Sequence, residues 1–213
     1  PEDAVVPIDD RGFQFGDGVY EVIRSHRGRL WAAERHFARL QRSLRELWLD
    51  GIDVAEVATA AQALYAQSGI ADALLYIQVT RGVQARDYAV AADARPTLVM
   101  TVRPMHTLNP GYRLRGVDVV LRPDLRWARV DIKSLNLLAN MMAKKDASDA
   151  GAFEAVLQRD GVVTEGASTS LFVVRGGVIV TREEGPHILP GVTRELVIQC
   201  ACELGIPVEE RPY

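Results

Sequence analysis

Two rhythms of apolar residues run along this chain, and each predicts a kind of element. Between Gly18 and Ala32, in GVYEVIRSHRGRLWA, apolar and polar positions alternate on either side of Arg27-Gly28, the pattern of a β-hairpin. From Ala33 to Leu49 the period changes: Phe37, Leu40, Leu44, Leu47 and Trp48 recur at helical spacing and predict a single apolar stripe. DVAEVATAAQALYAQSG, residues 53–69, predicts a second helix with Asp53 as its cap and Gly69 as its stop. ALLYIQVTRG and PTLVMTVRP read as strands joined by a loop from Val83 to Arg95.

RPMHTLNPGYR, with Pro104, Pro110 and Gly111, breaks the pattern near the middle of the chain and reads as a linker. It predicts an N-terminal α/β domain over 1–104, a linker over 105–111 and a larger, β-rich domain over 112–213. In that second half GVDVVLRP is a strand and Leu135 to Ala150 a helix. FEAVLQRDGVVTEGASTSLFVVRGGVIVT supplies several strands, turning at Asp160-Gly161 and Gly176-Gly177, and VTRELVIQCACELG is a closing helix. Strand runs mixed with packed helices indicate two α+β halves rather than a regular βαβ series. The chain opens at Pro1 without a methionine and stops where IPVEERPY begins a strand, so further residues are expected at both ends.

Composition narrows the class. With 213 residues, 48% of them hydrophobic and 25% charged, the chain can bury a substantial core. A net charge of −3 carries no nucleic-acid footprint, and no basic run suggests an anionic membrane partner. No apolar stretch has the length of a membrane span, and no signal-peptide pattern opens the sequence. Cys200 and Cys202, two apart in a helical stretch, fit neither a disulfide framework nor a zinc site. They predict reduced core thiols in a cytoplasmic protein. His26, His36, His106 and His187 are scattered without metal-ligand spacing, so no metal is expected.

Four features carry candidate chemistry. Lys133 sits where an apolar run gives way to a helical pattern, whereas Lys144 and Lys145 fall on the polar side of that helix. An amine there either reaches for water or, desolvated, becomes a partly neutral nucleophile. Glu165 ends a strand before Gly166 and the hydroxyls of Ser168, Thr169 and Ser170. That is either a polar turn or a carboxylate beside a heterocyclic nitrogen with hydroxyls placed for an anion. In ILPGVTRELV the helix N–H groups around Val192 and Thr193 either start an ordinary helix or receive a phosphate. Arg39, next to the stripe residue Leu40, is either solvated or turned inward to an anion.

DRGFQFGDGVYEVIR, VTRGVQARDY, RWARVDIKSLNLLANMMAKKDA, VTEGASTSLF and ILPGVTRE occur in that order. Together they resemble the fold-type-IV pyridoxal-phosphate enzymes and, among them, the D-amino-acid (D-alanine) aminotransferases. The resemblance implies a two-domain α+β fold, pyridoxal 5′-phosphate as cofactor, and a homodimer. The reaction implied is D-alanine plus 2-oxoglutarate to pyruvate plus D-glutamate. Lys133 would be the Schiff-base lysine that also moves the substrate Cα proton, and Glu165 the partner of the pyridine nitrogen. Arg39, Ser168, Thr169, Val192 and Thr193 would surround the phosphate side, with Leu189 supporting the ring. Tyr20 would offer a hydroxyl to substrate, and Arg86, from the neighbouring subunit, would grip the substrate carboxylate. Tyr88 stands where the family places a histidine, so the carboxylate site departs from the family pattern there. The family also continues beyond Tyr213. Branched-chain aminotransferases and aminodeoxychorismate lyases share the lysine and the glutamate and are the alternatives.

Overall fold

The computed structural model describes residues 4–213, and the chain divides into two compact units. The first extends to His106 and includes Ile132–Asn136; the second comprises Thr107–Asp131 and Leu137–Tyr213.

The first unit opens with a short helix, α1 (Arg11–Phe15), capped by the Asp10 carboxylate, which accepts from the Gly12 N–H. β1 (Gly18–His26) turns at Arg27 and Gly28, both at positive φ, into β2 (Arg29–Leu30). The hairpin is where the alternation put it. β3 (Ala73–Thr80) and β4 (Thr97–Pro104) complete an antiparallel sheet in the order β2-β1-β3-β4, with Val19 opposite Val79 and Ile23 opposite Leu75.

One face of that sheet is covered by α2 (Ala33–Glu46) and α3 (Val54–Ser68). Phe37, Leu40 and Leu44 of α2 and Val54, Val57 and Ala61 of α3 join Val19, Ile23, Leu75, Ile77 and Val79 in one core. Leu40 is fully buried, and truncating such a side chain to alanine costs about 2–5 kcal/mol. Asp53 caps α3 by accepting from the Ala55 N–H, and Gly69 ends it at a positive φ of 67°. Trp48 departs from its predicted place in the stripe. The helix ends at Glu46, Trp48 turns to a φ of 49°, and its ring is 84% exposed.

Ile132–Asn136 groups with this first unit although it lies beyond the linker in sequence, which corrects its assignment to the C-terminal domain. The reason is backbone pairing. The Tyr20 N–H donates to the Lys133 carbonyl and the Leu135 N–H to the Gly18 carbonyl, both at 3.0 Å. Ile132 is buried in the same core. Leu135, predicted to open a helix, is thus engaged beside β1, and the helix starts later.

In the second unit a short helix, α4 (Gly111–Arg115), lies where the predicted linker ends. β5 (Val119–Pro123) runs parallel to β6 (Glu154–Arg159), which pairs antiparallel with β7 (Val162–Gly166) through the turn at Asp160-Gly161. β8 (Phe172–Arg175) and β9 (Val178–Thr181) form a hairpin at Gly176-Gly177, and β10 (Val208–Glu210) lies parallel to β9. α5 (Leu138–Asp149) brings Ala143 and Ala147 against Ala155, Leu157 and Ala167. In α6 (Val192–Glu203) only Val192, Arg194 and Ala201 are buried. Cys200 and Cys202 are free thiols, but exposed ones, which corrects their reading as core residues. Among the described residues no helix is long and apolar enough to cross a membrane.

Candidate active site

In the first unit β1 alternates, so Val19, Glu21 and Ile23 enter the core while Tyr20 and Val22 are only half-buried. Lys133 lies alongside. Its backbone is held twice, by the Tyr20 N–H donating to its carbonyl and by its own N–H donating to the Ser43 hydroxyl of α2. Its Nζ sits 4.2 Å from the centre of the Tyr20 ring. The other two of the chain's three lysines are committed to salt bridges on α5. Lys145 pairs with Asp149, and Lys144 pairs with Glu154 while donating to the Phe153 carbonyl. Burial pushes the Tyr20 hydroxyl up to about 12, with Tyr76 and the Glu21 charge adding to it and Arg39 opposing. At neutral pH that phenol is therefore a donor.

Glu21, fully buried on the core face, explains Arg39. The arginine's Nε and Nη2 donate to the two carboxylate oxygens at 2.7 and 2.8 Å, and His36 Nδ1 lies 2.8 Å from Oε2. Burial alone would raise the Glu21 carboxyl, but Arg39, His36 and the nearby Lys133 charge hold it below the usual carboxylate range. Arg39 does turn inward, as its position beside the stripe suggested, and an anion it meets there belongs to the protein.

Arg86 and Tyr88 lie in the loop between β3 and β4, both exposed. The Arg86 guanidinium sits 4.4 Å from the Phe15 ring centre, and the Tyr88 ring is 5.7 Å from the same ring. Among the described residues no carboxylate pairs with Arg86.

The second unit holds Glu165 at the end of β7, 7% exposed. Its Oε1 accepts from Arg126 Nη1 at 2.5 Å and from the Leu189 N–H at 3.1 Å. Oε2 accepts from no described residue. Leu189, foreseen as apolar support through its side chain, meets Glu165 through its backbone N–H. Burial drives the Glu165 carboxyl upward, and Arg126 and the Leu189 N–H reverse only part of that shift. Arg126 is itself clamped by Asp124, whose two oxygens accept from its Nε and Nη2. Thr164 donates to Asp124 as well. Arg126 was missed in the sequence, where nothing in its spacing marks it. The one available signal is that a buried Glu165 needs a counter-ion.

Ser168 and Thr169, expected to face an anion, have another partner. Both hydroxyls donate to Oε2 of Glu154, a buried carboxylate on β6. Their turn is tight: the Gly166 N–H donates to the Thr169 carbonyl, and a Cβ at Gly166 would collide with the Thr169 hydroxyl. The Ser170 hydroxyl lies close to the start of α6, where a Cβ at Gly191 would meet it at 2.8 Å. Gly191 caps α6 without a side-chain hydrogen bond, so the first N–H groups, at Val192 and Thr193, have no side-chain acceptor at the cap.

Against known families, residues 18–213 match the amino-transferase class IV model, and the chain belongs to that family. It is 41% identical over 210 residues to the D-alanine aminotransferase of Bacillus licheniformis, covering 98% of this chain and 74% of that one. The branched-chain amino acid aminotransferase of Escherichia coli shares the fold, with a TM-score of 0.92, 24% identity and coverage of 99% of this chain and 73% of that one. The 4-amino-4-deoxychorismate lyase of Pseudomonas aeruginosa superposes with a TM-score of 0.86 at 28% identity, over 98% and 78% of the two chains.

Proposed function

We propose that this aminotransferase uses pyridoxal 5′-phosphate to transfer the amino group of D-alanine to 2-oxoglutarate, giving pyruvate and D-glutamate. The observation that carries the reading is the setting of Lys133, an amine held on two sides by its backbone and placed over the face of the half-buried Tyr20 phenol. The D-alanine aminotransferase at 41% identity supports the choice of substrate.

The residues present fit the cofactor. Glu165 keeps one oxygen on Arg126 and Leu189 and has a second that accepts from no described residue, which suits a ring N–H. The uncapped start of α6 at Val192 and Thr193 suits a phosphate. Arg39, oriented by Glu21, is the cation that the family resemblance assigns to the phosphate. When bound, pyridoxal 5′-phosphate supplies a ring that withdraws electron density from the substrate Cα.

Every other part is played by side chains. Lys133 anchors the cofactor and then, as a free amine, removes and returns the proton at the substrate Cα. Glu165 favours a protonated ring nitrogen, and an N–H delivered to Oε2 in turn favours the ionised carboxylate. Tyr20 donates a hydrogen bond on the substrate side. Arg86 grips the substrate carboxylate with its guanidinium fork, and Tyr88 adds a neutral donor. In this reading the enzyme is a cytoplasmic homodimer whose exposed loop bearing Arg86 and Tyr88 serves the partner's site.

The test is pyruvate formation from D-alanine with and without 2-oxoglutarate. The proposal expects acceptor-dependent pyruvate and an equal yield of D-glutamate, with L-alanine inert. Pyruvate and ammonia released without an acceptor would identify an elimination enzyme. Preference for L-leucine would identify a branched-chain transaminase.

A further inference from the structure

Arg11 is a buried arginine that the proposed chemistry does not use. It opens α1, is 6% exposed, and spends its donors in two directions. Nε donates to Asp17 at 2.7 Å, while Nη1 donates to the backbone carbonyl of Asp87 at 2.6 Å and reaches that of Ala89 at 3.4 Å. Those two carbonyls flank Tyr88 and follow Arg86 in the chain. The guanidinium also lies 4.9 Å from the centre of the Phe15 ring, the same ring that sits under Arg86.

The anchor behind Arg11 is firm. Burial pushes the Asp17 carboxyl up, but Arg81 and Arg11 outweigh it and hold it below the usual range, so it stays ionised at neutral pH. Arg81 donates to Asp17 and ties it to the end of α2 through the Leu47 carbonyl. The root of the loop is fixed to the same stretch: the Arg11 N–H donates to Gly82, and the Gln84 N–H donates to Asp9. From Ala85 to Val90 the residues themselves are exposed. Inside the loop the Gln84 side chain donates to the Ala89 carbonyl and accepts from the Ala91 N–H. That clamp closes the loop on itself, and the Arg11 side chain ties the closed loop to Asp17.

We propose that Arg11 is a positioning residue for substrate recognition: by bridging Asp17 and the carbonyls on either side of Tyr88, it holds Arg86 over Phe15, ready for the substrate carboxylate. The proposal rests on the reading of Arg86 as the carboxylate grip. An arginine is required because its planar fork donates to an acid and to carbonyls at once, which a single ammonium on a flexible stem does not reproduce. Holding the loop in advance removes an ordering cost that substrate binding would otherwise meet.

The experiment compares Arg11→Lys, Arg11→Gln and Arg86→Ala with the wild-type holoenzyme. KM and kcat are read for D-alanine and for 1-phenylethylamine, which lacks a carboxylate, alongside hydrogen–deuterium exchange of peptides covering 84–91. Arg11→Lys keeps a cation beside Asp17 and guards against a variant that fails to fold. The expected result is faster exchange in the loop and a KM for D-alanine raised about tenfold, the scale of one lost charge-assisted hydrogen bond. Kinetics with the amine should be unchanged. Unchanged loop exchange in both Arg11 variants would overturn the proposal, as would equal losses on both substrates. So would a normal D-alanine KM where Arg86→Ala raises it. If Arg86→Ala has no effect on D-alanine, the carboxylate grip falls instead, and loop exchange alone decides whether Arg11 holds the loop.

Discussion

Glu21 and Glu165 are both strand residues, both buried, and both pressed against an arginine, yet their charges are managed in opposite ways. Glu21 spends both oxygens within the protein, on a two-pronged Arg39 and on His36, and its carboxyl is held low. Glu165 spends one oxygen, on an arginine already clamped by Asp124, and its carboxyl is pushed up by burial. Burial disfavours a charge by a similar mechanism in each case, so the number of committed donors decides the outcome. A saturated carboxylate orients its neighbours, here Arg39. One that keeps an uncommitted oxygen is suited to receive a ligand's proton. The two glutamates therefore separate scaffold from chemistry more clearly than burial or residue type does.

The largest expected effect is at Lys133. Lys133→Ala should lower turnover by roughly 10⁴-fold, since anchor and proton carrier are lost together. Circular dichroism should show the fold intact, because the segment is held by its backbone. Near-normal single-turnover rates in the purified variant would remove the lysine from the mechanism.

Glu21→Gln should act on stability. It removes the fully buried charge that Arg39 Nε and Nη2 donate to, and breaking a buried ion pair on one side costs about 3–5 kcal/mol, readable as a lower urea midpoint. Glu165→Gln should do the reverse. Arg126 keeps Asp124, the amide oxygen still accepts from Leu189, and the midpoint should move far less than in Glu21→Gln. The amino-transfer half-reaction should instead slow by about 10–100-fold, because a neutral amide no longer favours a protonated ring nitrogen. Stopped-flow traces for Glu165→Gln that overlay wild type would make the two glutamates equivalent and dissolve the contrast.

The smallest effect is in acid. A glutamate titrates near 4.3 when unfolded. Glu21, held below that, contributes stability that is complete above the unfolded value and is lost as pH falls through the folded one. Glu165, held above it, contributes in the opposite sense: its share is complete below the unfolded value and is lost as pH rises through the folded one. Urea midpoints followed from pH 3 to 7 should therefore fall less steeply on the acid side in Glu21→Gln than in wild type. The Glu165→Gln profile should diverge from wild type towards higher pH. Parallel profiles for all three proteins would contradict both assignments.

Much of this architecture was legible before any coordinates because it is local. The turn at Arg27-Gly28, the Phe37–Leu40–Leu44 stripe and the caps at Asp53 and Gly69 each depend on residues a few positions apart. Lys133 stood out as a candidate because the polar–apolar rhythm changes around it, and its role came from the family resemblance. What was not legible depends on distant partners. Lys133 joins the first unit through the Tyr20 N–H, which donates to its carbonyl, and its neighbour Leu135 donates to Gly18; both partners lie more than a hundred residues earlier. Arg126 matters only because Glu165 folds against it. Ser168 and Thr169 have the right chemistry for an anion, but the anion they meet is Glu154. A helical spacing cannot say which side of a helix is covered, which is why Cys200 and Cys202 were placed in the core and lie outside it.

The central claim is that Lys133 is the amine that carries the cofactor, and the chain's three lysines make it directly testable. The protein is incubated with pyridoxal 5′-phosphate, reduced with sodium borohydride, digested, and mapped by mass spectrometry. The account predicts a single pyridoxyl adduct on the peptide containing Lys133, with Lys144 and Lys145 unmodified in their pairs with Glu154 and Asp149. An adduct on Lys144 or Lys145 with Lys133 untouched, or no stable adduct at all, would contradict it.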